Sequence, residues 1–211
     1  MRTKVIGQHV ITLDSVDSTN KHAAELLAQG SVAHGAVVLA HEQTAGRGQR
    51  GRIWRSGAGL DLTASVVLRF EQLKVAEQFT LAKVASLAVH DVVAAAMKMA
   101  VDRGSDQVRI KWPNDVLVDR RKISGILIKN DVVGGLLMNS VIGIGLNVNS
   151  GELDAEFNAT SLRMETGMEH DRMDLLEQLC QQLEHYLEVW RDDPDKLALA
   201  YVNALWSRGR Y

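Results

Sequence analysis

The sequence predicts an α+β fold, in which a mixed or mostly antiparallel β-sheet is backed by helices. Apolar and polar residues alternate between Leu60 and Phe70, which is typical of a strand with one buried face. In residues 75–101 the apolar residues recur at helical spacing instead. Several predicted strands also follow one another without a helix between them, which argues against a doubly wound parallel sheet.

The N-terminal part of the chain is predicted to form a strand, a helix and a second strand. Residues 10–16 form the first strand, and Asp17 or Ser18 can cap a helix over residues 20–29. The apolar run of residues 36–41 is suited to a buried strand.

The middle of the chain is predicted to hold one long helix and four strands. The helix, residues 75–101, is expected to end near Gly104 and to bury one stripe, formed by Leu81, Val84, Ala88, Val92, Ala95 and Met99. The last two strands are expected to pair as a hairpin through residues 131–135. The four strands are residues 107–111, 116–118, 123–129 and 136–149. Residues 150–167 show no clear period and predict a long loop, a kind of segment that is often functional.

Two helices are predicted in the C-terminal part of the chain. Residues 171–190 carry a leucine stripe at helical spacing, and Asp193 caps a final helix to about residue 206 with Pro194 at its favoured first position. Cys180 lies within the leucine stripe and is expected to be a buried core residue rather than a nucleophile. Because it is the single cysteine, no internal disulfide can form, and a reducing compartment is expected.

Composition and charge narrow the functional class. The chain has 211 residues, of which 46% are hydrophobic and 24% charged, enough for one domain with a sizeable core. A formal net charge of −2 argues against a general nucleic-acid binder, although a local basic loop is compatible with it. No apolar stretch of membrane-spanning length and no signal-peptide core is recognised, so a cytoplasmic protein without a membrane partner is expected. The seven histidines are scattered, so no structural zinc site is expected.

The most informative segment is the glycine–arginine loop, residues 46–54, with the sequence Gly-Arg-Gly-Gln-Arg-Gly-Arg-Ile-Trp. Its glycines allow tight turns and a close approach of backbone to a ligand. Its arginines can grip carboxylate or phosphate, and the indole of Trp54 offers a flat surface for a base. The loop therefore suits a small anion joined to a ring, such as a nucleotide. It has the spacing of neither a P-loop nor a dinucleotide fingerprint.

Two further segments carry more polar and glycine residues than a plain strand or loop requires. One is residues 111–115, Lys-Trp-Pro-Asn-Asp, with Lys122 and Gly125 just beyond. The other is residues 142–149, Ile-Gly-Ile-Gly-Leu-Asn-Val-Asn, where glycines interrupt a strand and let a ligand lie flat against the backbone. Its asparagines offer paired donors and acceptors, which suit a base edge or a ribose.

Taken in order along the chain, these segments resemble the signatures of biotin protein ligases, the enzymes that attach biotin to lysines of carrier proteins. The glycine–arginine loop, the Lys-Trp-Pro-Asn-Asp segment with its Lys-x-x-Gly-Ile-Leu continuation, and the Gly-x-Gly-x-Asn-x-Asn strand follow the family order. Residues 17–20, Asp-Ser-Thr-Asn, and residues 159–162, Ala-Thr-Ser-Leu, match two more family segments. The resemblance covers essentially the whole chain.

The resemblance implies a fold similar to that of class II aminoacyl-tRNA synthetases, a mixed sheet with helices packed on one face. It also implies a two-step ligation. Biotin and ATP, the latter with Mg²⁺, give biotinyl-5′-AMP and pyrophosphate. A lysine of a biotin carboxyl carrier protein then attacks the acyl carbon and releases AMP. No direct protein ligand for the metal is expected.

The same resemblance assigns roles to individual residues. Catalysis falls to Lys122 and Arg47, as cations where a carboxylate and a phosphate that repel each other must meet. The residues expected to bind biotin are Ser18, Thr19, Asn20, Gln43, Gly46, Arg47, Lys122, Gly125, Leu127, Gly143 and Gly145. Those expected to bind ATP or the adenylate are Arg50, Arg52, Trp54, Asn114, Asp115, Lys122 and Asn147.

Each of these residues also has a plainer interpretation. The loop arginines can form a solvated surface, Lys122 can be an ordinary strand-edge lysine, and Trp54 can be a core aromatic. Gly143 and Gly145 can mark a β-bulge, and Asp115 can simply hold its turn. The order and spacing of the motifs favour the functional interpretation.

The chain departs from the family pattern in two places. Gln49 stands where many members carry arginine, and the hypothesis is that the adenylate is held less tightly. Residues 1–211 are expected to form one catalytic domain, with the family's C-terminal β-barrel absent or truncated and no N-terminal DNA-binding domain, so DNA is not an expected partner. A homodimer formed through a sheet edge stays open. Two alternative functions stay open as well: a non-catalytic module that binds biotin or its adenylate, and a lipoate or octanoate transferase.

Overall fold

Seven strands and five helices occur in the part of the chain that the computed structural model describes, residues 1–101, 107–151, 153 and 158–206. The strands are β1 (Val10–Val16), β2 (Val37–Gln43), β3 (Leu62–Lys74), β4 (Val108–Lys111), β5 (Asp115–Val118), β6 (Arg121–Val133) and β7 (Leu136–Leu146). The helices are α1 (Thr19–Ala28), α2 (Phe79–Val101), α3 (Leu162–Thr166), α4 (Arg172–Asp192) and α5 (Pro194–Ala204).

All seven strands belong to one sheet, in the order β1-β2-β3-β7-β6-β5-β4. Within it, β1 and β2 run parallel and each other neighbouring pair is antiparallel. The long hairpin of β6 and β7 turns at Gly134 and Gly135, whose φ angles of 59° and 81° lie in the left-handed region that favours glycine. The mixed sheet with hairpins that the sequence predicts is confirmed.

The main core lies between one face of this sheet and the helices α2, α4 and α5. Alternate residues of the central strands point into it, including Leu62 and Ala64 of β3 and Ile142 and Ile144 of β7. Helix α2 contributes the largest helical surface, formed by Leu81, Val84, Ala85, Ala88, Val92, Val93, Ala96 and Met97. Burial of this apolar surface is the main term that stabilises the domain.

Helix α1 packs on the opposite face of the sheet. Its Ala23 lies in a second apolar cluster with Val38, Val67 and Val141. These strand residues alternate with those that face the main core, so they project from the other side of the sheet. Helix α1 covers only part of that face, and a cavity opens beside it.

Strand β3 corrects the prediction of a single buried face. Residues 62–68 are buried on both faces, because α2 covers one side of the sheet and α1 covers the other. In residues 62–68, the alternation of residue types therefore distinguishes two buried faces, not a buried face from an exposed one. One is apolar and faces α2, and the other contains the buried hydroxyls of Thr63 and Ser65.

The predicted buried stripe of α2 is wrong at its C-terminal end. Met99 is 87% exposed, and Ala95 is exposed as well. Apolar residues surround this helix almost completely, so the sequence allows several equivalent stripes. Packing on the sheet selects the one that contains Ala96 and Met97.

Helix α2 also corrects the expectation that no apolar stretch could span a membrane. Residues Val75–Ala100 have the length and composition to do so. However, 56% of an 18-residue apolar stretch within them is buried inside the fold. Such burial is typical of a core helix. The expected helix end near Gly104 lies outside the described residues.

The predicted starts of the C-terminal helices are confirmed. The Asp171 carboxylate accepts a hydrogen bond from the Asp174 N–H, and that of Asp193 accepts from the Lys196 N–H. Cys180 is fully buried, as predicted. The predicted loop of residues 150–167, by contrast, contains the short helix α3, which the Ser161 hydroxyl caps.

Candidate active site

A cavity of about 1140 Å³ opens on the sheet face opposite to α2. Its lining comes from residues 18–20, 43–60, 111–127, 143–151 and 158–159. Every residue that the sequence predicts for the site lines this cavity except Gly46. A volume of this order is typical of sites for small molecules.

The floor of the cavity is glycine backbone, and the Trp54 indole covers part of it. Gly125 of β6 lies directly opposite Gly145 of β7, and Gly143 lies opposite Leu127. Residues two apart on a strand share a face, so these positions project together into the cavity. The pairing is continuous through them, which excludes the interpretation that Gly143 and Gly145 mark a β-bulge. A flat surface without side chains lets a ring system lie against the sheet.

A β-bulge in β6 brings Lys122 onto the same face as the glycine floor. The pairing of β5 with β6 shifts between Val116 and Leu117, which leaves Ile123 as an extra residue. Without this bulge, Lys122 and Gly125 would lie on opposite faces, because an odd number of positions separates them. In the fold, a Cβ placed on Gly125 would lie 3.1 Å from Lys122 Nζ.

Two cations from separate segments reach the cavity. Arg47 arrives from the glycine–arginine loop and Lys122 from β6. Lys122 Nζ lies 2.7 Å from Asp115 Oδ1, yet this oxygen has no aligned hydrogen-bond donor. The contact is therefore an ion pair held by charge, and an anionic ligand can compete for the ammonium. Arg50 and Arg52 are exposed and line the same cavity.

The indole of Trp54 rests on the glycine floor. A Cβ on Gly145 would overlap the indole, and one on Gly125 would lie 3.0 Å from Trp54 Cζ3. Lys122 Nζ is 5.6 Å from the ring centroid, which is a cation–π distance. Trp54 Nε1 is buried and has no hydrogen-bond partner. The side chain is thus a wall of the cavity and stands outside the two apolar core clusters.

Gly46 lies behind the loop and not on the cavity wall. Its carbonyl accepts a hydrogen bond from the Trp54 N–H at 3.0 Å, and a Cβ at this position would overlap the Trp54 carbonyl. A β-bridge between Arg47 and Ile53 closes the same loop. Gly46 is therefore placed to close the loop on itself rather than to touch a ligand.

The start of α1 forms one wall of the cavity. Ser18 is the N-cap of α1, but its side chain makes no capping bond. The Thr19 N–H and hydroxyl donate to Gln43 Oε1 at 2.8 and 3.1 Å. Asn20 Nδ2 donates to the Leu127 carbonyl at 3.0 Å. These bonds fix the amide groups of Gln43 and Asn20 before any ligand arrives.

Two asparagine amides line another part of the cavity. Asn114 Nδ2 donates to the Ile126 carbonyl at 3.0 Å, and Asn147 Nδ2 donates to the Thr160 carbonyl at 2.9 Å. Asn147 Oδ1 is buried and has no partner. A buried acceptor without a donor is costly, so a donor supplied by a ligand would stabilise this site.

Sequence reasoning missed several charged residues around the cavity, one of which is Arg55 in its lining. Arg120 lines it directly. Asp61 is 1% exposed and accepts from the Ser150 hydroxyl at 2.7 Å, which ties two loops of the cavity together. Glu165 is buried and pairs with Arg121 at 2.7 Å. The signal available in the sequence was a carboxylate inside an apolar strand pattern, and it applied only to Asp61.

The geometry has a counterpart among known protein families. Residues 12–147 match the model of the biotin/lipoate A/B protein ligase family. This range contains the glycine–arginine loop, the bulge that presents Lys122 and the glycine floor. The chain belongs to this family. Sequence comparison with individual members agrees with that assignment.

This family member is 36% identical over 184 residues to the bifunctional ligase/repressor BirA of Bacillus spizizenii, which covers 85% of the chain and 54% of that relative. It is 36% identical over 200 residues to the biotin–[acetyl-CoA-carboxylase] ligase of Paracoccus denitrificans, covering 92% of the chain and 78% of that relative. The chain therefore spans about half the length of the first relative.

The predicted fold class is confirmed by solved structures. The biotin protein ligase from Aquifex aeolicus in complex with biotin and ATP matches with a TM-score of 0.74 at 28% identity, over 94% of this chain and 79% of that one. The biotin protein ligase from Leishmania major in complex with biotinyl-5-AMP has a TM-score of 0.79 at 24% identity, over 97% and 84%, and shares the fold.

Proposed function

We propose that the chain ligates biotin to a lysine of a biotin carrier protein, through a biotinyl-5′-AMP intermediate made from ATP. The observation that carries this proposal is the meeting of Arg47 and Lys122 in one cavity above a floor of glycine backbone. It is supported by the relative from Paracoccus denitrificans, which is named a biotin–[acetyl-CoA-carboxylase] ligase, and by the relative from Bacillus spizizenii, which is named a bifunctional ligase/repressor.

The first step brings two negative groups together. A carboxylate oxygen of biotin attacks the α-phosphorus of ATP, and pyrophosphate leaves. Two unit charges ~4 Å apart at an effective dielectric of ~20 repel each other by about 4 kcal/mol. Uncorrected, this term costs roughly a thousandfold in rate. Arg47 and Lys122 reverse its sign by placing positive charge at the meeting point.

The second step uses the same cations. The carrier lysine attacks the acyl carbon with its neutral amine, and the bond between this carbon and the phosphate oxygen breaks. AMP leaves with the negative charge, and the surplus proton on the new amide nitrogen passes to solvent. Lys122 and Arg47 stabilise that charge as it develops. The indole of Trp54 and the loop arginines exclude water, which would otherwise hydrolyse the mixed anhydride.

The two ends of the cavity suit the two halves of the adenylate. We propose that the Trp54 indole, which covers Gly145, moves aside when ligand binds. The fused rings of biotin then lie against the backbone of Gly143 and Gly145, beside the polar groups of Ser18 and Thr19. The residues proposed to complete this half are Asn20, Gln43, Gly125 and Leu127. The nucleotide half is proposed to contact Trp54, Asn114, Asn147, Arg50 and Arg52.

We propose that Mg²⁺ enters with the phosphates of ATP. Within the described residues, Asp115 is the acidic side chain that lines the cavity, and it is already paired with Lys122. Among those residues, no group of three or more His, Cys, Asp or Glu side chains is arranged to hold a metal. The side chains present therefore do not form a protein cage for the ion. The cytoplasmic location and a homodimer stay predictions.

Mass spectrometry of a carrier domain tests the proposal. The purified chain is mixed with biotin, MgATP and a biotin carrier domain, and Lys122→Met serves as the inactive control. A gain of one biotin mass on the carrier, lost in the control, is the expected result. Replacing biotin by lipoate in the same assay tests the transferase alternative.

The other outcomes each overturn a defined part of the proposal. Adenylate that forms without transfer limits the chain to the first step. Bound biotin without adenylate supports the non-catalytic module. A lipoate-sized gain with no biotin-sized gain supports the lipoate transferase.

A further inference from the structure

The segment of residues 158–162 connects two residues of the cavity. The Lys122 N–H donates to the Asn158 carbonyl, and the Thr160 N–H donates to the Lys122 carbonyl, each at 2.9 Å. On its other side, the Thr160 carbonyl accepts from Asn147 Nδ2 at 2.9 Å. The backbone of Thr160 therefore lies between the main chain of Lys122 and the amide of Asn147.

The side chain of Thr160 is held by a buried carboxylate. Its hydroxyl donates to Glu165 Oε1 at 2.5 Å, and the Glu165 side chain is only 1% exposed. The same oxygen lies 2.7 Å from the guanidinium of Arg121, the residue before Lys122. A carboxylate this deeply buried is tolerated because a cation and a hydrogen bond compensate its desolvation. The network thus fixes Thr160 from the side away from the cavity.

We propose that Thr160 and Glu165 are positioning residues that decide which nucleobase the cavity accepts. Because the Thr160 carbonyl engages Asn147 Nδ2, the unpartnered Asn147 Oδ1 is presented as an acceptor. An acceptor favours a base that carries an amino group, such as adenine, and repels one that carries a carbonyl at that position. This inference rests on the proposed function, because it assumes that a purine nucleotide is the substrate.

The proposal predicts what happens when the clamp is loosened. Without the bond between Thr160 and Glu165, the segment can shift and the Asn147 amide can rotate. Its NH₂ group then faces the cavity and suits a carbonyl on the base. The preference for ATP over ITP, whose base has a carbonyl in place of the amino group, is therefore expected to decrease.

The experiment compares ATP and ITP in adenylate formation by the full chain and three variants. Thr160→Val removes the hydroxyl at nearly constant volume, and Thr160→Ser keeps it as the matched control. Arg121→Gln removes the exposed partner of Glu165 and leaves the buried packing in place, so it serves if Thr160→Val fails to fold. We expect kcat/KM for ATP to fall about tenfold in Thr160→Val. We expect kcat/KM for ITP not to fall, KM for biotin to stay unchanged, and Thr160→Ser to behave as the wild type.

A merely structural role gives a different result. Equal losses with ATP and ITP, or no change in Thr160→Val and Arg121→Gln, would overturn the proposal. The affinities for AMP and IMP, measured by calorimetry, test this inference independently of the proposed ligase activity. If the wild type binds AMP more tightly than IMP and Thr160→Val loses that preference, the inference holds even where no ligation is seen. If the wild type binds both equally, the inference fails whatever the activity.

Discussion

The ammonium of Lys122 lies 2.7 Å from Asp115 Oδ1, in the same cavity that Arg47 enters from another segment. The hairpin of β5 and β6 brings the two side chains together, and the extra residue Ile123 turns Lys122 toward the glycine floor. The ion pair is partly exposed, so it contributes little to stability. We infer that Asp115 holds the Lys122 ammonium in place until an anionic ligand replaces the Asp115 carboxylate as its partner.

Replacing Lys122 by methionine is expected to slow the first step, the formation of biotinyl-5′-AMP. The variant keeps the length of the side chain and loses the charge that offsets the repulsion between carboxylate and phosphate. We expect adenylate formation to be slower by about 10²–10³-fold, measured as pyrophosphate release. Lys129→Met, on an exposed position of the same strand, is the matched control. A rate within threefold of wild type for Lys122→Met would contradict the electrostatic role, because a factor of three is less than about 1 kcal/mol.

A methyl group on the glycine floor is expected to block ligand binding. A Cβ at Gly145 would overlap the indole of Trp54, so Gly145→Ala forces the indole away. The added methyl group also projects from the floor and prevents the ring of a ligand from lying flat against the backbone. We expect affinity for biotin and ATP to fall at least about tenfold, which corresponds to the 1–3 kcal/mol typical of overpacking. Gly134→Ala, in the turn between β6 and β7 and outside the cavity lining, is the control, because a Cβ there meets nothing within 4 Å. Equal affinities for the two variants would show that the floor is not a binding surface.

An arginine at position 49 is expected to slow the release of the adenylate. Gln49 lines the cavity, and a guanidinium there would add a charge-assisted hydrogen bond to the phosphate, worth about 1.5–3 kcal/mol. We therefore expect Gln49→Arg to release labelled adenylate roughly ten times more slowly. Gln72→Arg, at an exposed position of β3, controls for the added charge. Release from the native protein that is as slow as, or slower than, release from Gln49→Arg would refute the hypothesis.

The stability of the N-terminal segment is expected to depend on pH through Glu184. Burial acts to raise the pKa of this carboxyl, but hydrogen bonds from the N–H groups of Lys4, Val5 and Ile6 outweigh it and lower the pKa. A lowered pKa gives stability that is present above the ordinary value of 4.5 and is lost as the pH falls. We expect Glu184→Gln to lower the Tm at pH 7, by roughly 2–4 °C for each kcal/mol lost.

As the pH falls below the ordinary carboxyl pKa and through the lowered pKa of the folded state, the Tm difference between wild type and Glu184→Gln is expected to shrink and then disappear. The matched control is Glu188→Gln. Its carboxylate is partly exposed and lies 3.1 Å from the exposed Lys4 ammonium, so little change is expected. A Tm difference for Glu184→Gln that stays constant from pH 7 to pH 3 would contradict this account.

The thiol of Cys180 is expected to be unreactive in the native protein. Burial, with a smaller contribution from Glu184, raises its pKa from 9.0 to about 12. A raised pKa gives stability that is fully present below pH 9 and is lost as the pH rises toward 12. We expect disulfide reagents at pH 8 to modify the thiol only after unfolding in guanidinium, whereas Ser31→Cys at an exposed position reacts at once. Rapid modification of native Cys180 would refute its burial.

Local sequence patterns predicted most of the elements and most of the residues that line the cavity. Period two and period 3.6 are properties of neighbouring residues, so the strands and helices could be predicted within a few positions. The exceptions were α3, the burial of both faces of β3 and the buried stripe of α2. Met99 was misplaced because the apolar residues around α2 leave its orientation to packing.

The chain by itself determined which segments could line a ligand cavity, because glycine and arginine have the same conformational and charge properties wherever they stand. Only the tertiary structure decided that Lys122 faces the glycine floor, since this depends on the bulge at Ile123 and on its pairing with β5. Only it placed Glu165 against Thr160, whose carbonyl holds the amide of Asn147 in the cavity wall. Such contacts join segments that are distant along the chain, and their energies are absent from any local pattern.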